Sequence, residues 1–223
     1  YHQEADTLCA HHAGGASAGG PRLACQPGGA AVIHIHVRDE NGVNSMDTKR
    51  FCQVVDLVRE ECGKAGVDPV LNLTTSGSKW PEDIRRAHLP ILMPEMCSYD
   101  PGTMNWANSY IFSNSPAFLE QLGHDTQELG IKPECEIFDG GMMGNVDYYV
   151  KKGVLKEPIH YQFVLGVAGG MRGNADSLAF LLPKMRPGST WSITGIGETI
   201  CPVCSSVWPR AVTASGWAWR TTF

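Results

Sequence analysis

Two histidines spaced two apart stand inside an otherwise apolar run, Ala30-Ala31-Val32-Ile33-His34-Ile35-His36-Val37-Arg38-Asp39. Side chains alternate across a strand, so His34, His36 and Arg38 project to one side. Two imidazoles side by side at the C-terminal end of a strand can fill two positions of a tetrahedral zinc, leaving the others for a carboxylate and a substrate oxygen. The competing reading is a hydrogen-bonded pair of core histidines. Arg38 can grip a substrate carboxylate at two points, and its structural alternative is an ion pair with Asp39 or the neighbours of Glu40.

The elements that must position these groups follow one pattern from about residue 30 to 197: apolar strand, polar or glycine-containing loop, helical stretch. Strands are expected at 32–37, 69–75, 91–99, 135–138, 161–167 and 191–196. Helices are expected at 46–65, 81–87, 115–129, 146–152 and 176–185, the first capped by Asn44-Ser45 and stopped by Gly66. Alternation of this kind implies right-handed β-α-β crossovers and a parallel sheet. Polar residues recur at the strand C-termini: His34 and His36, Thr74 and Thr75, Ser98 and Asp100, Asp139, then Gly169-Gly170. A (β/α)8 TIM barrel builds its active site on that rim. An open doubly wound sheet also binds there, but no G-x-G-x-x-G follows the first strand, so the barrel is preferred.

The composition narrows the class. With 223 residues and 43% hydrophobic content the chain can bury one substantial core, and a single domain is expected. A net charge of −5 without a Lys/Arg cluster argues against nucleic acid as a partner. No long apolar stretch or signal pattern argues for a membrane, so a soluble cytoplasmic protein is expected. The eight cysteines are scattered through the chain and read as reduced thiols.

The ends differ from the middle. Residues 199–223 hold no Asp, Glu or Lys, yet contain Trp208, Trp217 and Trp219, three of the six tryptophans. His11-His12 and Cys201-Pro202-Val203-Cys204 have metal-ligand spacing but no second half-site.

The middle resembles the β-keto acid cleavage enzymes, the family that includes the 3-keto-5-aminohexanoate cleavage enzyme. The resemblance rests on His34-Ile35-His36-Val37-Arg38-Asp39-Glu40-Asn41-Gly42, Pro94-Glu95-Met96, Gly102-Thr103-Met104-Asn105-Trp106, Lys132-Pro133-Glu134-Cys135-Glu136-Ile137-Phe138-Asp139, Leu165-Gly166-Val167-Ala168-Gly169-Gly170 and Gly195-Ile196-Gly197. These segments occur in the family's order over about 170 residues.

The resemblance implies a zinc-binding (β/α)8 barrel with His34 and His36 as metal ligands and acetyl-CoA as co-substrate. It also implies a third ligand in a last-strand R-V-G-L-E-D-N motif, where this chain reads Ala214-Ser215-Gly216-Trp217-Ala218-Trp219-Arg220-Thr221-Thr222-Phe223. Suitable codons for Ala218-Trp219-Arg220-Thr221-Thr222 spell G-L-E-D-N in another frame, and those for His11 to Gly15 spell I-T-P-E-E. Residues 1–28 and 198–223 are therefore expected to be off-frame and poorly structured around a genuine core of 29–197, a barrel incomplete at its first and last strands.

By the same resemblance, Thr74-Thr75-Ser76-Gly77 takes the place of an S-T-G-G turn, so that Thr74, Thr75 and Gly77 contact the substrate carboxylate. Ser98 and Asp100 stand at the next strand end, where an acidic group favours an amine-bearing substrate or caps a loop. Gly169 and Gly170 let backbone amides approach the CoA phosphates or form a plain strand-to-helix loop. Glu136 and Asp139 organise the rim.

The implied reaction is zinc-assisted. The metal polarises the keto oxygen of a β-keto acid, acetyl-CoA adds, and retro-Claisen cleavage yields acetoacetate and a new CoA thioester. A homotetramer is the implied assembly. Two other readings stay in view. An H-x-H amidohydrolase is disfavoured because His88, His124 and His160 stand at no convincing strand end. The other is a catalytically inactive, incomplete barrel lacking the third zinc ligand and the base.

Overall fold

The computed structural model describes residues 31–196, which divide into two compact units, 31–97 and 98–196. The expectations for His11-His12, for Cys201 to Cys204 and for the off-frame ends lie outside the described residues.

In the first unit, β1 (Val32–Ile35), β4 (Val70–Leu73) and the start of β5 (Met96–Tyr99) run parallel. The register sets His34 opposite Asn72, Ile35 opposite Leu73, and Leu73 opposite Cys97. Between β1 and β4 lie the short antiparallel pair β2 (Val37–Arg38) and β3 (Asn44–Ser45), then helix α1 (Thr48–Ala65). Ile33, Ile35, Val37, Leu71 and Leu73 face one way and pack on Phe51, Val54, Val58 and Cys62 of α1. His34 and His36 are left for the opposite face, as period-two alternation requires.

Several boundaries differ from expectation. The cap of α1 is Asp47, whose carboxylate accepts from the amides of Lys49 and Arg50, whereas Asn44-Ser45 is engaged as a strand. The 91–99 segment is not one strand. Leu89–Leu92 forms a helical turn (α3) after α2 (Glu82–Arg86), Met93 takes a left-handed conformation with φ of 46°, and only Met96–Tyr99 is extended. Cys52 and Cys97 form no disulfide, but Cys62 is disulfide-bonded, against the expectation of reduced cysteines throughout.

In the second unit, β8 (Lys132–Ile137), β9 (His160–Leu165) and β10 (Thr190–Gly195) are parallel neighbours in that order. Helices α4 (Pro116–Leu129), α5 (Gly140–Lys151) and α6 (Ala175–Leu181) cover them. Helix α4 begins on Ser115 and ends at Gly130 in the left-handed region, as the sequence predicts. The helix expected at 146–152 starts earlier, at Gly140, because the Asp139 side chain accepts from the amides of Gly141 and Met142. A hairpin of β6 (Met104–Trp106) and β7 (Tyr110–Phe112) was not anticipated; Ala107 and Asn108, with φ of 50° and 51°, make its turn. Among the described residues no helix is long and apolar enough to cross a membrane.

Candidate active site

The first unit gathers the largest group of sequence-designated residues. The Nε2 atoms of His34 and His36 converge to 3.1 Å, with ring centroids 5.0 Å apart. Two nitrogens bound to one tetrahedral zinc at ordinary bond lengths stand about 3.3 Å apart. The pair fits two positions on one metal, and at this distance it equally meets the competing reading of a hydrogen-bonded histidine pair. Ligation also needs a neutral imidazole. Burial, helped by the charges of His34 and Arg38, holds the His36 pKa down at about 3, so this ring is neutral across the physiological range.

The Arg38 guanidinium donates to the Gly42 carbonyl at 2.8 Å. The Asp39 carboxylate is occupied by the amides of Asn41 and Val43, and Glu40 pairs with Arg50. Arg38 remains beside His36, close enough to depress its pKa.

Strand β4 leads straight into the second element of the site. The Thr74 amide donates to the Ile35 carbonyl at 3.1 Å, continuing the β1–β4 ladder and setting Thr74 level with His36. Thr74 and Thr75 are buried. The Thr74 hydroxyl accepts from the Ser76 amide at 3.0 Å and folds the chain back. Gly77 is fixed by crowding: a Cβ there would stand 2.7 Å from Met46 Cγ and 3.2 Å from Arg85 Cγ. His34, His36, Arg38, Thr74, Thr75 and Gly77 thus belong to one unit, at the C-terminal ends of two paired parallel strands.

Ser98 and Asp100 fall in the second unit, both buried. Asp100 neighbours a carboxyl group whose part the sequence reading understated. Burial, then the charges of Asp100 and Glu134, push the Glu136 carboxyl well above the usual range, and a side-chain hydrogen bond with Asp100 adds to the shift. Glu134 and Glu136 share one face of β8, with His160 and Gln162 opposite them in register on β9. Glu134 lies 3.6 Å from His160, whose Nδ1 is 2.8 Å from the Thr190 hydroxyl. With Asp100 and Glu134 buried beside it, the half-buried Glu136 carboxyl holds its proton more tightly than an exposed glutamate does. The signal available in the sequence was the Glu-x-Glu spacing on a strand.

Gly169 and Gly170 also lie in this unit. A Cβ on Gly169 would stand 1.9 Å from the Asn105 carbonyl oxygen, at a φ of +97°, and one on Gly170 would stand 2.7 Å from the Phe138 carbonyl oxygen. The Gly170 amide closes a turn on Val167, and the Met171 amide donates to Phe138 at 2.7 Å. Close approach to the protein's own backbone requires glycine at both positions.

Parallel α/β units with a histidine pair and a hydroxyl-bearing turn at adjoining strand C-termini define the class: an α/β protein with polar groups gathered at the C-terminal ends of its strands. A family model for the beta-keto acid cleavage enzyme matches residues 22–210, and the chain belongs to that family. A 3-keto-5-aminohexanoate cleavage enzyme of Fusobacterium nucleatum subsp. nucleatum is 36% identical over 170 residues, covering 76% of this chain and 60% of that protein. A 3-dehydrocarnitine:acetyl-CoA trimethylamine transferase of Rhizobium meliloti is 28% identical over 210 residues, covering 84% of this chain and 67% of its own length. The solved apo structure of ObcA aligns with a TM-score of 0.67 at 20% identity, covering 91% of this chain and 53% of that one. The chain thus spans 60% of the first of these relatives and about half of the solved one.

Proposed function

We propose that this chain carries the metal and carboxylate subsites of a β-keto acid cleavage centre built on an incomplete (β/α)8 barrel. His34 and His36 would hold zinc, whose chemistry there is to polarise a keto oxygen. Thr74, Thr75 and Gly77 receive the substrate carboxylate, and Arg38 supplies a cation beside the histidines. Ser98 and Asp100 take part in recognising the remainder of the substrate. The loop of Gly169 and Gly170 receives the CoA phosphates. The observation that carries the reading is the 3.1 Å convergence of the two Nε2 atoms beside the Thr74 turn, within a chain of this family.

The net reaction transfers a two-carbon acid. The bond between the keto carbon and the CH₂–COO⁻ group of the β-keto acid breaks, and the CH₂–COO⁻ fragment becomes bonded to the acetyl carbonyl of acetyl-CoA. The CoA sulfur leaves that acetyl group and ends on the original acyl carbon. Acetoacetate and a new acyl-CoA result, with no oxidant or reductant required. The acetyl-CoA named in the R. meliloti relative supports the co-substrate. The resemblance alone carries a homotetramer working in the cytoplasm.

The test supplies the zinc-loaded chain with acetyl-labelled acetyl-CoA and a panel of β-keto acids, and follows label into acetoacetate. Label transfer that vanishes in a His34→Ala/His36→Ala variant is the expected result. No transfer with any member of the panel, at one bound zinc per chain, sinks the enzymatic reading and leaves the inactive barrel.

A further inference from the structure

Arg85 is the largest of the fully buried side chains, 1% exposed, and neither the metal pair nor the substrate turn accounts for it directly. It comes from α2, a five-residue helix too short to be stable by its own hydrogen bonds. A guanidinium loses its hydration on burial and remains charged, so it is retained only where its donors and charge are used. Here the use is specific. Its Nε donates to the Thr75 carbonyl at 2.8 Å, while its Cγ lies 3.2 Å from where a Gly77 Cβ would stand. One side chain therefore bonds to the turn assigned to the substrate carboxylate at Thr75 and fills the space beside Gly77.

The geometry of a peptide unit sharpens the point. In a trans peptide the C=O and N–H point in opposite directions. Arg85 holds the Thr75 carbonyl on one side, and the Thr74 hydroxyl receives the Ser76 amide on the other. The Thr75-Ser76 peptide plane is pinned at both edges and its tilt is fixed. Beneath Arg85, His88 is fully buried and stacked on Phe51, with ring centroids 4.1 Å apart and planes within 8°, so the segment carrying Arg85 is itself anchored in the core.

We infer that Arg85 is a positioning residue for carboxylate recognition: it fixes the Thr74–Gly77 turn and places a buried positive charge behind it, selecting anionic β-keto acids over neutral ketones. The inference rests on the proposed role of that turn. A charge behind the turn acts through little intervening water, so its attraction for a bound carboxylate is larger than a surface lysine would supply. A residue that only filled space would treat charged and neutral ligands alike.

The experiment measures binding of acetoacetate and of pentan-2-one, a neutral ketone with no carboxylate and no acidic CH₂ between two carbonyls, to the zinc-loaded chain by calorimetry. Arg85→Met and Arg85→Gln are expected to weaken acetoacetate about tenfold and to leave pentan-2-one within about twofold. Arg85→Lys, which keeps the charge but loses the planar fork, is expected to recover most of the acetoacetate affinity. Should Arg85→Met fail to fold, Arg85→Gln decides, since its amide can still donate to Thr75 without the charge. Equal losses for both ligands, or no loss for either, would overturn the positioning role while leaving the turn's role standing. A wild-type chain that binds zinc and pentan-2-one but binds acetoacetate no more tightly would refute the carboxylate subsite, and this inference with it.

Discussion

A neutral, buried imidazole is a titration hazard, and His88 shows the sign of it. Burial, only partly offset by the Thr74 backbone, holds its pKa down at about 4, against 6.5 for an exposed ring. The folded state binds this proton less readily than the unfolded chain. Its contribution to stability is therefore complete above about pH 6.5 and is lost as pH falls toward 4. The loss amounts to up to about 3 kcal/mol. Urea denaturation at pH 7 and pH 4.5, in the presence of a chelator, should give a smaller difference for His88→Gln than for wild type. An unchanged difference would place the acid sensitivity elsewhere. At this scale the sequence revealed residue types, but not which would be desolvated. Arg85 falls in the short helix expected at 81–87 and His88 stands at no convincing strand end in the sequence, yet both are fully buried.

Among the elements, local signals were the most legible. Ser115 before Pro116 and Gly130 after Leu129 mark the ends of α4 where the structure has them. Helix α1 was expected at the right place, but its cap was assigned to Asn44-Ser45 because those are good capping types next to the apolar pattern. Asp47 performs the task, and its replacement by Ala should cost about 1 kcal/mol. The urea midpoint of Asp47→Ala is the measurement, with helix content at zero denaturant kept. No shift would mean that the bonds to Lys49 and Arg50, at 2.7 and 3.2 Å, add nothing net. The hairpin of β6 and β7 escaped notice because its strands are three residues each and its turn carries Ala107 and Asn108 rather than an Asn-Gly pair. Its place depends on Gly169, whose bare Cα admits the Asn105 carbonyl.

For the whole molecule, the proposed zinc subsite would link metal binding to folding. A ligand that binds the native state alone stabilises it in proportion to the logarithm of its concentration over the dissociation constant, by about 2.7 kcal/mol at a hundredfold excess. Zinc at that excess should raise the unfolding free energy of the chain by this amount. The His34→Ala/His36→Ala variant should show no zinc-dependent gain. A gain that persists in the variant would locate the metal away from the histidine strand. The measurement needs no catalytic turnover, so it bears on the metal subsite independently of label transfer.

The sequence by itself determined that His34 and His36 share a face, that parallel strands alternate with helices, and that polar groups collect at strand C-termini. Each of these depends on periodicity or capping within a few residues, which the order of residue types already encodes. Only the tertiary structure decided that the two Nε2 atoms converge, that Arg85 is buried behind the Thr74 turn, and that Asp100 shares a hydrogen bond with Glu136. Those facts join residues through side-chain rotamers, burial or separate strands and helices, and desolvation is a property of what surrounds a group rather than of its neighbours in the chain.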